Sequence, residues 1–216
     1  MKKSEEMTAD KYTTPWFKPV VTLDDAALEK VMKELWAKVG TTNVSPDCIV
    51  GIATGGLLCA EKLKPTVDIP VLSCALRRPG TKIKKISGIK RLLGIMPYGI
   101  SNWMRRIEDR LLATRENKPS GTNPSESKQL SSDVETITRF VTDKGLRHVL
   151  VIDDAVDSGV TLGSVVAALR AALPPETTLT TAVITQTRSL VAFEPDVSLY
   201  RNTLCRFPWS FDFRGN

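Results

Sequence analysis

Val149-Leu-Val-Ile-Asp-Asp-Ala-Val-Asp-Ser-Gly-Val-Thr161 is the stretch that sets the fold class expected of this chain. His148–Ile152 is almost purely β-branched and apolar, the composition of a strand covered on both faces. It delivers two adjacent acids, Asp153 and Asp154, at its carboxyl end. In open α/β sheets that edge is where ligands bind. A short loop, Asp153–Gly159, then leads into a helix expected over Thr161–Ala172, which Pro174 and Pro175 stop. Ser158, Gly159 and Thr161 stand at the helix N-terminus, where backbone N–H groups and the helix dipole favour a phosphate. Gly159 permits a close approach that a Cβ would forbid, and the hydroxyls add donors. One strand–loop–helix unit thus offers acceptors for hydroxyls beside donors for a phosphate, the pattern of groups on a pentose phosphate. An acidic pair after a strand also caps turns and occurs in response-regulator-like and Rossmann sites. The whole thirteen-residue string is far more specific than the pair.

Toward the N-terminus, Cys48–Ile52 reads as a buried strand, followed by Ala53-Thr-Gly-Gly56 and a helix starting at Leu57. Val71–Leu76 reads as a further strand, ended by the turn signal Arg77–Gly80. Leu23, Ala27, Leu28, Val31, Leu35 and Val39 follow helical spacing, with Thr22 placed to cap and Gly40 to stop that helix. Met1–Lys11 reads as a polar tail. A helix is expected over Trp103–Arg115, a mobile loop over Asn117–Ser132 with a turn at Thr122–Pro124, and a helix over Val134–Thr142. Thr178–Thr185 and Val197–Leu204 read as the last strands. Alternating strands and helices predict one α/β domain with a mostly parallel central sheet flanked by helices.

The bulk composition suits a soluble globular protein, with 42% hydrophobic and 25% charged residues. The longest apolar runs fall far short of a membrane span, and Met1–Asp10 lacks the apolar core of a secretory signal. A cytoplasmic protein with no membrane partner is therefore expected. Cys48, Cys59, Cys74 and Cys205 form no Cys-x-x-Cys pair, and His148 is the sole histidine, so buried free thiols are expected rather than zinc. The net charge of +6 is uneven: Arg77–Lys118 holds twelve Lys/Arg against three Asp/Glu. Such a block suits an anionic partner, whether a phosphorylated small molecule, a nucleic acid or an acidic protein surface; it equally suits a solvated helix face.

The thirteen-residue string resembles the 5-phosphoribosyl-1-diphosphate signature of type I phosphoribosyltransferases: apolar strand, two acids, two apolar positions, one variable position, then Ser/Thr-Gly-x-Thr. The resemblance implies that Asp153 and Asp154 bind the ribose hydroxyls, directly or through magnesium-bound water, making Mg2+ the expected cofactor. It implies that Ala155, Val156, Asp157, Ser158, Gly159, Val160 and Thr161 wrap the 5-phosphate. Ile49-Val-Gly-Ile-Ala-Thr-Gly-Gly-Leu57 is similar to the family's early strand and diphosphate loop, which assigns Thr54, Gly55 and Gly56 to the diphosphate. Its position, about a hundred residues before the acidic pair, agrees with the family order. The resemblance spans Val21–Leu76 and Val134–Leu204. It implies a single domain over 1–216 with a basic flap or insertion at about 78–133, a small C-terminal hood at about 186–216, and a homodimer.

The variable position is Asp157. In 6-oxopurine members an Asp here faces purine N7 and is the proposed general acid/base, which points to hypoxanthine, guanine or xanthine; its other role is hydrogen bonding within the loop. Leu204-Cys-Arg-Phe-Pro-Trp-Ser210 resembles the end of bacterial and archaeal 6-oxopurine enzymes, with Leu204 where an aromatic stacks on the base. Those relatives carry a Lys after the penultimate strand, where this chain has Thr185-Gln-Thr-Arg188. Gln186, Arg188, Leu204 and Phe207 are therefore the candidate base contacts, while Phe207, Trp209 and Phe211 equally suit closing the core. The expected activity is transfer of 5-phosphoribosyl to a nucleobase in purine salvage, with Asp153, Asp154 and Asp157 as catalytic residues. The rival is a protein of the same fold that binds the sugar diphosphate or a nucleotide without transfer. Nucleic-acid binding by the basic block is the weaker alternative.

Overall fold

A computed structural model describes residues 18–42, 45–76 and 124–214, with backbone alone for 124–128. Its strands are β1 (Val20–Thr22), β2 (Cys48–Ala53), β3 (Val71–Ala75), β4 (His148–Val156), β5 (Thr178–Gln186), β6 (Val197–Arg201) and β7 (Leu204–Arg206). Its helices are α1 (Asp25–Gly40), α2 (Gly55–Glu61), α3 (Pro124–Lys144) and α4 (Val160–Ala172).

β2 to β6 form one five-stranded sheet in the order β3-β2-β4-β5-β6, every pair parallel. Cys48 pairs with Val149 and Gly51 with Ile152, so β2 and β4 run in step at the centre. Side chains alternate across these strands, as the period of two requires. Ile49, Leu150, Ile152, Ala182 and Ile184 pack with α1 and α2 on one face; Cys48, Val50, Val149, Val151 and Val183 pack with α3 and α4 on the other. Both faces are thus covered, which is why β2 and β4 read as continuous apolar runs. Five buried α1 side chains (Leu28, Val31, Met32, Leu35 and Val39) hold that helix down. At about 1.5–3 kcal/mol each their burial outweighs the N-cap, worth about 1 kcal/mol.

Several boundaries differ from the sequence expectation. The cap of α1 is Asp24, whose Oδ1 accepts the Ala27 N–H at 2.8 Å, and not Thr22. Thr22 instead ends β1, which pairs in parallel with β7 as a separate two-stranded sheet. Three residues are too short for a periodic signal, so β1 was invisible in the sequence. α3 starts at Pro124 and overrides the loop expected to reach Ser132. Pro is at home in a first helical turn, and Leu130, Val134, Ile137 and Val141 place an apolar stripe against β3 and α4. Val197–Leu204 is not one strand: Asn202 takes φ 52° and divides it into β6 and β7, in different sheets. A left-handed residue cannot continue a strand, and Asn tolerates that region better than most. The expected tail at Met1–Lys11, the Trp103–Arg115 helix and the basic block Arg77–Lys118 lie outside the described residues. All four cysteines are free and buried, and no helix among the described residues is long and apolar enough to cross a membrane.

Candidate functional site

From β2 the chain steps outward to β3, and from β4 it steps the other way to β5 and β6. The sheet order therefore reverses between β2 and β4, and the carboxyl ends of these two strands mark the topological switch point. Two glycine-bearing turns lie there: Thr54 with Gly55 and Gly56, the first residues of α2, which begins two residues before the Leu57 start expected, and Asp157–Gly159 after β4.

β4 runs four residues further than Ile152 and carries the acidic pair on the strand itself. Asp153 is 6% exposed and accepts the Asp154 N–H on Oδ1 at 3.0 Å. Asp154 is half-buried, and its Oδ1 accepts the Ala155 N–H at 2.9 Å. Its Oδ2 accepts the indole N–H of Trp209 at 2.9 Å. The first loop packs directly on the pair. A Cβ at Gly55 would overlap the Asp154 carboxylate, and one at Gly56 would overlap the Ile152 carbonyl oxygen and lie 2.8 Å from the Asp153 Cα. The glycines thus bring Thr54–Gly56 against the acids in a way no other residue allows. The Ala53–Thr54 peptide in this loop is cis.

Gly159 is the N-cap of α4 at φ 80°, and the Val160 N–H at the start of that helix donates to Ser158 Oγ at 3.5 Å. Its Cα faces the backbone of Phe193, 2.6 Å from where its Cβ would stand to the Phe193 nitrogen. Phe193 belongs to a strap between β5 and β6 that is tied to the β4–α4 loop by two backbone hydrogen bonds. Thr187 N–H donates to the Val156 carbonyl at 2.8 Å, and Ala192 N–H to the Ser158 carbonyl at 2.7 Å. Between these contacts Asp157 is clamped. Its Oδ1 accepts the Thr187 hydroxyl at 2.7 Å and lies 2.7 Å from Arg188 Nε; its Oδ2 accepts Arg188 Nη2 at 3.0 Å.

Among the candidate base contacts, Arg188 therefore meets Asp157. Gln186 is 1% exposed and donates Nε2 to the Arg188 carbonyl at 2.9 Å. Leu204 and Phe207 are both buried, Phe207 within the α1-side core. Phe207 stacks in parallel on Trp209, with ring centroids 5.0 Å apart. Sequence reasoning missed Thr187 and the Trp209–Asp154 bond. The Pro-Trp pair drew attention to Trp209, but a contact across 55 residues leaves no local pattern.

The acids dominate the local field. Burial pushes the Cys59 thiol well above its ordinary range, and the charges of Asp154 and Asp153 push the same way. No group of three or more His, Cys, Asp or Glu gathers into a metal cage among the described residues. The Asp154 carboxylate, using two of about four acceptor positions, keeps the others for a magnesium ion or its waters. That ion keeps several waters and takes one or two carboxylates plus substrate oxygens.

An all-parallel sheet reversing at an acidic pair, with a glycine-capped helix beside it, is the architecture of the phosphoribosyltransferase fold. This chain shares that fold with the purine phosphoribosyltransferase from Pyrococcus horikoshii Ot3, at TM-score 0.51 and 18% identity over 91% of this chain and 97% of that one. It shares it also with the xanthine-guanine-hypoxanthine phosphoribosyltransferase of Helicobacter pylori, at TM-score 0.52 and 18% identity over 88% and 92%. No protein-family model and no curated protein sequence matches the chain.

Proposed function

We propose that this chain is a magnesium-dependent phosphoribosyltransferase that moves 5-phosphoribosyl from its 1-diphosphate to a nucleobase, with a 6-oxopurine as the base. The observation that carries the reading is the meeting of Asp153–Asp154 with Gly55–Gly56 at the switch point, beside the Gly159-capped helix. The two acids would accept the ribose 2- and 3-hydroxyls or magnesium-bound water. The Ala155–Thr161 segment would hold the 5-phosphate at the N-terminus of α4. Backbone groups of Thr54–Gly56 would face the diphosphate. Bound magnesium would supply positive charge for the leaving diphosphate. A base nitrogen bonds to ribose C1 as the C1–O bond breaks, and the electron pair departs with the diphosphate. Asp157 would manage the N7 proton, which requires Arg188 to yield one carboxylate oxygen to the base. The two solved structures named above are of purine phosphoribosyltransferases, which supports the base class.

The clamp on Asp157 favours a second reading, a protein that binds the sugar diphosphate or a nucleotide without transfer. One experiment separates them: incubation with the sugar diphosphate, magnesium and a panel of hypoxanthine, guanine, xanthine, adenine, orotate and uracil, followed by assay of diphosphate. Release with a 6-oxopurine supports the first reading, and saturable binding without release supports the second. Asp154→Asn is expected to weaken sugar-diphosphate binding about tenfold, the scale of one charge-assisted contact. Unchanged affinity would remove the acidic pair from the site.

A further inference from the structure

We infer that Trp209 is a positioning residue for Asp154, and that the C-terminal turn carrying it sets how tightly the pentose ligand is held; the inference rests on the pentose-phosphate reading of the acidic pair. The Asp154 carboxylate is gripped on both oxygens, by the Ala155 N–H on Oδ1 and by the indole N–H on Oδ2, each at 2.9 Å. The first grip comes from the adjacent residue. The second comes from 55 residues away and exists only if the turn after β7 is held in place.

That turn is braced at every step. Phe207 N–H donates to Ser210 Oγ at 2.9 Å, and Ser210 N–H to the Phe207 carbonyl at 2.8 Å. The indole lies flat on the buried Phe207 ring, interplanar angle 1°. Beneath it Arg206, 1% exposed, donates Nε to Asp212 Oδ2 at 2.9 Å and Nη1 to Thr22 Oγ1 at 2.7 Å. The Arg206 carbonyl accepts the Leu23 N–H at 2.8 Å, which ties the turn to the N-terminal strand. The bracing thus ends in one polar contact, to an acid assigned to the sugar. With Gly55 packed against the same oxygen, the carboxylate plane is set before any ligand arrives. Such preorganisation acts on affinity, because the cost of ordering is met on folding.

The test is Trp209→Phe, which keeps the stacked ring and removes the N–H. Three quantities are read: melting temperature, affinity for the sugar diphosphate with magnesium, and the KM values for sugar diphosphate and base. The expected result is a folded variant whose sugar-diphosphate affinity falls about tenfold, with its KM raised and the KM of the base unchanged. A second measurement needs no variant to fold. In full-length protein with 15N-labelled tryptophan, the Trp209 indole resonance moves as the sugar diphosphate and magnesium are added, while that of Trp36 in α1 stays fixed. A folded Trp209→Phe variant with wild-type affinity, or a Trp209 resonance that stays fixed at saturation, overturns the inference and leaves the pentose-phosphate reading standing. Wild-type protein that does not bind the sugar diphosphate overturns both.

Discussion

The β4–α4 unit and the C-terminal segment from Thr187 to Asp212 meet on the same carboxylates, yet they are built in opposite ways. β4 and α4 hold their functional groups by backbone: parallel pairing on both sides of β4, a left-handed Gly159, and two glycines that let the start of α2 close on β4. The C-terminal segment has short strands and little ladder. It is held by side-chain pairs: Arg206 with Asp212 and Thr22, Arg188 and Thr187 with Asp157, Ser189 with Asn202. On the proposed function, the first construction would place phosphate and hydroxyl ligands, whose chemistry is invariant. The second surrounds the expected base end, where one substitution can change specificity without touching the sheet.

If the contrast is real, the largest loss of stability comes from a side chain in the second region. Arg206→Met leaves Asp212 buried without its cation, which costs about 3–5 kcal/mol when a buried pair is broken. Adding Asp212→Leu should restore most of that loss, since replacing both partners removes the uncompensated charge. Urea unfolding midpoints of the single and double variants check this. A single variant as stable as wild type would mean the turn is held by something other than its ion pair.

The next effect belongs to the core beneath the first region. Burial, with Asp47 adding to it, pushes the Cys48 thiol up to about 11; burial, with Asp133 adding, takes Cys74 to about 12, against an ordinary 9.0. Both pKa values are raised in the folded state, so the unfolded chain loses these protons first as pH rises. The stabilisation is complete below about pH 9 and is lost as pH climbs towards 11 and 12, at about 1.4 kcal/mol per unit for each thiol. Denaturant midpoints should fall steadily from pH 9 to 11, and Cys48→Ala should flatten the slope. A slope indifferent to that substitution would place the alkaline loss elsewhere.

Smaller again is the effect of a methyl group at the junction of the two loops. Gly56→Ala drives a Cβ into the backbone of Ile152 and Asp153, neither of which can swing aside as a flexible side chain can. Overpacking of this kind costs about 1–3 kcal/mol. The signature lies in location: sugar-diphosphate binding should be lost while the Trp209 turn keeps its indole environment. A variant that binds normally would show that the start of α2 has room to move off β4.

These two modes of construction also explain what could be read in advance. The order of strands and helices, the acidic pair and the paired glycines follow from local composition, because a doubly covered strand and a helix N-terminus each need particular residue types in succession. Val149–Thr161 therefore disclosed the sheet centre and the acidic pair at its carboxyl end. β1, the division at Asn202 and the start of α3 were not legible. A three-residue strand has no period, a single left-handed Asn looks like any other, and the stretch ahead of Leu130 is loop-like by composition although its C-terminal half supplies the apolar stripe. Asp157 could be singled out by its place in the string, but its tie to Thr187 and Arg188 joins residues 30 and 31 positions apart. Pairings of that kind are fixed by tertiary geometry alone.

The finest division lies within the C-terminal segment, between two ion pairs on one strap. Arg188 and Asp157 have side chains 17% and 25% exposed and meet through two guanidinium nitrogens. Arg201 and Glu194 are 58% and 62% exposed and meet at 2.7 Å through one. Geometry alone would rank them alike, but solvent screening and side-chain entropy should leave the exposed pair a coupling of only about 0.2–0.5 kcal/mol. The sheltered pair, joined by the Nη2 hydrogen bond with Nε close by, should couple by about 1–3 kcal/mol, as hydrogen bonds to charged groups do. Double-mutant cycles on stability, Arg201→Ala with Glu194→Ala and Arg188→Ala with Asp157→Ala, measure both at low salt and again at high salt. The exposed coupling should vanish in salt while the Arg188–Asp157 coupling persists. Equal couplings, or two that fade together, would mean that the Asp157 clamp is as loose as the surface, leaving its carboxylate open to a ligand at little cost.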